Sequence, residues 1–327
     1  YFNGVIPNLK ENGFEQIYDA VELLKKTEVD KIYEGPLYPL KLKRRIDYYS
    51  EMAKKNTYSD SGKLNLKSID IQITERCSLK CKDCCNLMQY YTKPINAETQ
   101  EVLDSTKKIM SVVDHLDEFR VLGGDPFMNK EMHKVVNELV KYENCDRVII
   151  YTNATIIPKN EQLDCLRHPK VILEITNYGV ASRAHEKLLE LANNEGIKFS
   201  TFNCSTWQDC GTITQNSNKS IDDIKHQFNN CCNSDLVTLL HGQLYRCPFS
   251  ANGENLKAFK EDKKSIIDLR DPNLSDKELK DKIMELYYGK EYLSACFYCK
   301  GRDYQSVNIK SATQTKTPLK FDVVKEL

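Results

Sequence analysis

From residue 69 onward, apolar and polar positions alternate over short runs, and stretches with helical spacing separate those runs. Strands are predicted near 69–74, 118–122, 147–152, 171–176 and 197–203, with helices near 98–116, 130–142, 160–167 and 183–195. A sixth strand falls near 235–240. Strand-helix units repeated in this way predict an α/β fold, a parallel sheet covered by helices. Before residue 66 the pattern is helical: Phe14, Ile17, Tyr18, Val21, Leu23 and Leu24 recur at helix spacing, and a second helix is expected from about Leu40 to Ala53. Gly35-Pro36 separates the two.

Charge removes one class of partner. Lys+Arg and Asp+Glu both number 47 in the 327-residue chain, so no basic domain argues for nucleic acid. The basic segment from Lys41 to Lys55 also carries Asp47 and Glu51 and reads as a solvated helix face. No apolar run approaches a membrane span and no signal peptide is visible, so a membrane partner is not expected. Thirteen cysteines in a chain of this length fit metal-bound thiolates in a reducing cytoplasm better than a disulfide framework.

Three of those cysteines, Cys77, Cys81 and Cys84, form a CxxxCxxC directly after the first strand-like run. A structural zinc normally takes four protein ligands, whereas a 4Fe-4S cluster held by three cysteines keeps one iron open for a small molecule. The competing reading closes a zinc knuckle with a fourth residue such as Cys85. The motif resembles that of the radical S-adenosylmethionine (SAM) superfamily. That resemblance implies a partial six-stranded (β/α) barrel with its site at the strand C-terminal ends. It also implies SAM chelated to the open iron, and an external electron donor such as flavodoxin or ferredoxin.

Gly123-Gly124-Asp125-Pro126, after the second strand, resembles the family's GGEP segment, whose backbone contacts the methionine amino group; here Asp stands for Glu. Paired glycines let backbone approach a ligand closely. Asn153 and Asn177, at the ends of the third and fourth strands, are placed by the same resemblance near the cofactor. Asp83 stands where the family often has an aromatic residue, which puts the adenine-side contact in doubt.

Farther on, Cys232, Gly242 and Cys247 resemble the opening of SPASM and twitch modules, read physically as a hairpin turning at His241-Gly242. A capping box at Ser275 to Glu278 starts a helix toward Tyr288, and Cys296-Phe-Tyr-Cys299 follows. Cys232, or alternatively Cys231, with Cys247, Cys296 and Cys299 makes four ligands for a second, auxiliary 4Fe-4S cluster of the shorter twitch type; structural zinc is the rival. The expected division is an extension over 1–65, the barrel over 66–230, the module over 231–305 and a tail over 306–327.

Loops after strands offer Tyr178, Trp207 and Asp209 as substrate contacts, and Cys204 and Cys210 as hydrogen donors if the reaction is an epimerisation. The competing reading makes the two thiols packing residues, as Cys145 and Cys165 are taken to be. The tail from Cys299 to Gln314 resembles twitch-bearing enzymes of sugar chemistry, which ranks a sugar or sugar-nucleotide substrate, oxidised or epimerised, ahead of a peptide. A non-catalytic iron-sulfur or zinc protein is the third reading.

Overall fold

The computed structural model describes residues 62–216, 218–233, 235–302 and 307–322. The helices expected before residue 62 lie outside the described residues. Strand β1 (Asn65–Thr74) is followed by α1 (Thr99–Met110), β2 (His115–Gly123), α2 (Met132–Leu139) and β3 (Cys145–Thr152). Then come α3 (Glu161–Asp164), β4 (Val171–Asn177), α4 (His185–Asn194) and β5 (Phe199–Asn203). These five strands lie parallel in the order β5-β4-β3-β2-β1. The sixth parallel strand, β7 (Leu236–Leu240), pairs with β1. The sheet therefore resembles the partial barrel of radical SAM proteins.

Alternation along β1 explains both sides of the sheet. Ile69, Ile71 and Ile73 point to the helix-covered side, where they join Phe119, Val121, Val148, Ile150, Leu173 and Ile175 in one apolar core. Ser68, Asp70 and Gln72 point the other way and are also buried. The helices α1 and α2 each present an apolar stripe to the core, Val102 and Ile109 of α1 and Val135, Val136 and Leu139 of α2.

Two expected boundaries move. The helix expected over 98–116 ends at Met110, and β2 begins at His115, because Asp114, His115 and Asp117 at the sheet's lower rim mask the strand pattern. The helix expected over 160–167 divides into α3 and a 3-10 turn, Cys165–Arg167, ahead of Pro169. Cys145 and Cys165 are buried in the core.

Beyond β5 lie a short strand β6 (Thr206–Gln208), α5 (Ile221–Asn229) and the hairpin of β7 with β8 (Gln243–Tyr245). His241 and Gly242 turn it with φ of 46° and 69°, the double positive φ of a type I′ turn. The same segment thus serves as sixth parallel strand and as first arm of the hairpin. Next are α6 (Pro248–Asn255), β9 (Ile266–Asp268) beside β8, and α7 (Asp276–Met284), capped by Ser275 and Glu278. The final strand, β10 (Asn308–Lys310), pairs antiparallel with β6. Among the described residues no helix is long and apolar enough to cross a membrane.

Candidate metal and cofactor site

The CxxxCxxC loop leaves the top of β1 and is held from four sides. Gly124 N donates to Thr74 O and Asp125 N to Arg76 O, both at 2.9 Å, so the Gly-Gly-Asp-Pro segment runs along the start of the loop as backbone against backbone. A Cβ at Gly123 would stand 2.1 Å from Thr74 O, and one at Gly124 2.0 Å from Arg76 O; Gly123 also has φ of 146°. Only glycine permits that approach. From β3, the Asn153 side-chain amide donates to Cys77 Sγ at 3.6 Å and to Ser78 Oγ at 3.3 Å.

Gly211 lies under the loop, where a Cβ would stand 2.1 Å from Asp83 O, and Gln89 Nε2 donates to Gly211 O at 2.6 Å. The tail closes the fourth side: Lys82 N donates to Thr313 O at 2.7 Å and Thr315 N to Lys80 O at 2.9 Å.

Burial pushes the thiols of Cys77 and Cys84 up, and that of Cys81 up to about 12. Charge on Cys85, Cys77 and Cys81 adds to the rise at Cys84. A cation among them inverts that preference, since a coordinating thiol is deprotonated by the metal. Among the described residues no three cysteine sulfurs lie within 4.8 Å of one another. Four thiolates on one zinc would be about 3.8 Å apart, from Zn–S of about 2.3 Å in a tetrahedron. The thiols are thus not preset at the spacing of a mononuclear zinc site.

Asp125 takes a different part from a ligand contact. It is buried, and its carboxylate accepts from Thr152 Oγ1 at 2.9 Å, Asn153 N at 3.0 Å and Phe127 N at 3.1 Å. The side chain ties the end of β2 to the end of β3, and Pro126 opens the 3-10 turn that follows. Asn177 is similarly engaged: its amide donates to Asn203 Oδ1 and its oxygen accepts from Gly179 N, both at 2.9 Å.

Tyr178 and Trp207 meet edge to face with ring centroids 5.5 Å apart. Burial raises the Tyr178 phenol, and Cys204, Cys84, Cys81 and Cys85 add to the rise. Cys204 is on the same side, its thiol donating to Thr206 O at 3.5 Å. Asp209 is held in an ion pair with Lys300 at 2.7 Å. Cys210 lies elsewhere, buried in a second cavity.

That cavity is lined by Cys231, Cys247, Cys296 and Cys299, and also by Cys85, Cys210 and Arg302. Cys232 is not among its lining residues. The Cys231 thiol donates to the Cys232 sulfur, and Arg302 lies near it, which together hold Cys232 below the ordinary thiol range at about 6. Cys247 caps α6, its sulfur accepting from Ser250 N at 3.4 Å, and Cys299 Sγ accepts from Gly301 N at 3.4 Å. Backbone N–H groups aimed at sulfur are what a cluster's thiolates use to tune potential. Cys296 and Cys299 come from a 3-10 turn and its exit rather than an open loop. Phe259 stacked on Tyr298 at 4.7 Å, with Phe249 behind, keeps that side apolar.

Two features of the second cavity were not read from the sequence. Cys85, considered there only as a fourth ligand for the first site, lines this cavity. Arg302 has no hydrogen-bonding or ionic side-chain partner among the described residues, and Cys85, Cys232, Cys210 and Cys231 surround it.

A family model described as a 4Fe-4S single cluster domain matches residues 71–198. The chain is 27% identical over 96 residues to the GTP 3',8-cyclase of Clostridium acetobutylicum, covering 29% of this chain and 30% of that protein. It is 24% identical over 143 residues to the GTP 3',8-cyclase of Staphylococcus carnosus, covering 42% and 40%. It thus spans less than half the length of these curated relatives. Among solved structures, BtrN in complex with AdoMet and 2-DOIA aligns with a TM-score of 0.47 and 14% identity over 79% of this chain and 98% of that one. The cysteine loop and the first four strands of the sheet thus fall largely within the stretch that matches a 4Fe-4S single cluster domain, residues 71–198.

Proposed function

We propose that the protein is a radical SAM enzyme that oxidises or epimerises a sugar-type small molecule. Cys77, Cys81 and Cys84 would hold a 4Fe-4S cluster, and the backbone of Gly123 and Gly124 would meet the methionine end of SAM. When bound, cluster and cofactor supply a 5'-deoxyadenosyl radical able to take hydrogen from a C–H bond. The chain's own part is to fix the loop, present backbone without side chains at the glycine pair, and shield the site. Tyr178 and Trp207 would wall the substrate side and exclude water. A low-potential protein such as flavodoxin or ferredoxin would deliver the electron.

Cys231, Cys247, Cys296 and Cys299 would hold an auxiliary 4Fe-4S cluster, with Cys231 taking the place expected of Cys232. Cys204, beside Tyr178 and Trp207, suits the role of hydrogen donor better than Cys210, which faces the auxiliary cavity.

The observation that carries this reading is the three-thiol loop clamped against Gly123-Gly124 and contacted by Asn153. Reconstituted, oxygen-free protein given SAM and dithionite is expected to form 5'-deoxyadenosine. Failure to do so with the cluster fully loaded would refute the enzymatic reading. Support for a sugar-type substrate comes from the buried polar face of the barrel, where Ser68, Asp70, Glu118, Glu174 and Ser200 replace the apolar residues of the other face.

A further inference from the structure

Three buried side chains on that polar face keep an atom without a hydrogen-bond partner: Asp70 Oδ1, Gln72 Nε2 and Thr238 Oγ1. Their exposures are 4%, 1% and 0%. Native proteins leave few buried polar atoms unpaired, because each costs its lost hydration, so each calls for a cause. These three are neighbours. Asp70 and Gln72 are two apart on β1, on one face, and Thr238 of β7 is in register with Asp70. Spacing along and between strands puts them roughly 5–7 Å apart at the backbone.

Their neighbours are already committed. Glu118 accepts from Arg120 Nε at 2.6 Å and Arg147 Nη2 at 2.7 Å, while Arg120 stands 3.9 Å from Asp70 Oδ1, beyond hydrogen-bond reach. Gln72 uses its oxygen on Asn252 Nδ2 at 3.0 Å, which fixes the amide and leaves the NH₂ unengaged.

We infer that this row binds a ring polyol, as the part of the substrate that the barrel reads. An amide donor, a hydroxyl and a carboxyl within one ring's width match a molecule that carries hydroxyls on adjacent carbons. An apolar side chain of a peptide would leave all three unpaired. The inference rests on the sugar-type reading above and names the residues that would enforce it.

Calorimetry on reconstituted holoprotein with SAM, using D-glucose, D-glucosamine and D-glucose 1-phosphate as probes, tests it. At least one probe is expected to bind. Thr238→Val and Gln72→Glu should each weaken that probe about tenfold or more, with Thr238→Ser restoring it. The thermal midpoint of Thr238→Val should stay level or rise, since an unpaired hydroxyl is removed. The inference is overturned if no probe binds, if both variants bind as tightly as the parent, or if Thr238→Val lowers the midpoint because the hydroxyl had an internal partner. Formation of 5'-deoxyadenosine by the parent protein is read separately, so a failure of the radical chemistry is told apart from a failure of the polyol site.

Discussion

At Gly124 the protein's account reduces to an absent methyl group. A Cβ would stand 2.0 Å from Arg76 O, so Gly124→Ala must push the cysteine loop away from the strand that follows. The expected outcome is loss of most iron at the first site, read as about four irons per chain instead of about eight after reconstitution. Cys231 and Cys232 divide in the same assay. Cys231→Ser should fall to about four irons, while Cys232→Ser, at a residue that is not among those lining the cavity, should keep about eight. At this scale Cys77, Cys81, Cys84, the glycine pair and Asn153 could be named as candidates, because each lies in a contiguous motif at a strand end. Asp125 was legible as a motif member but not in its role, since its partners Thr152 and Asn153 come from the next strand. Arg302 gave no signal, as the cysteines around it come from distant segments, and Cys85 was read only as a possible fourth ligand of the first site.

The strands of the barrel carry a second layer of chemistry. Against the burial that would raise it, the Arg120 and Arg147 guanidinium groups hold the Glu118 carboxyl below its usual range. A carboxyl with a depressed folded pKa stabilises the fold above its unfolded value of about 4.5 and loses that contribution as pH falls through its folded value. Glu118→Gln, which breaks a buried charge network, should cost about 3–5 kcal/mol at pH 7. Thermal unfolding from pH 7 to pH 2.5 should show parent and variant converging below pH 4.5; a constant gap would contradict the network's role. Asp70 acts in the opposite sense: burial raises it to about 6, so its contribution falls as pH rises from 3.8 toward 6. The parallel strands were read correctly from their apolar runs. The polar face was not, because Ser68, Asp70 and Gln72 alternate with isoleucines as in a half-exposed strand, yet all three are buried.

Across the whole molecule one sheet helps to position both cysteine sets. Cys77, Cys81 and Cys84 leave β1, and the hairpin that brings Cys247 pairs with the same strand through β7. The tail then returns over the first loop and supplies β10 to the strand of Trp207, a closure between residues more than a hundred positions apart that no local pattern announces. The central claim is that the first cluster has three protein ligands and an iron open to SAM. A protein with Cys231, Cys247, Cys296 and Cys299 changed to Ser isolates that cluster. Its reduced state, followed by electron paramagnetic resonance while SAM is added, is expected to shift to a new signal as the open iron gains its ligands. A spectrum unchanged at saturating SAM, from a protein carrying about four irons, would contradict the account.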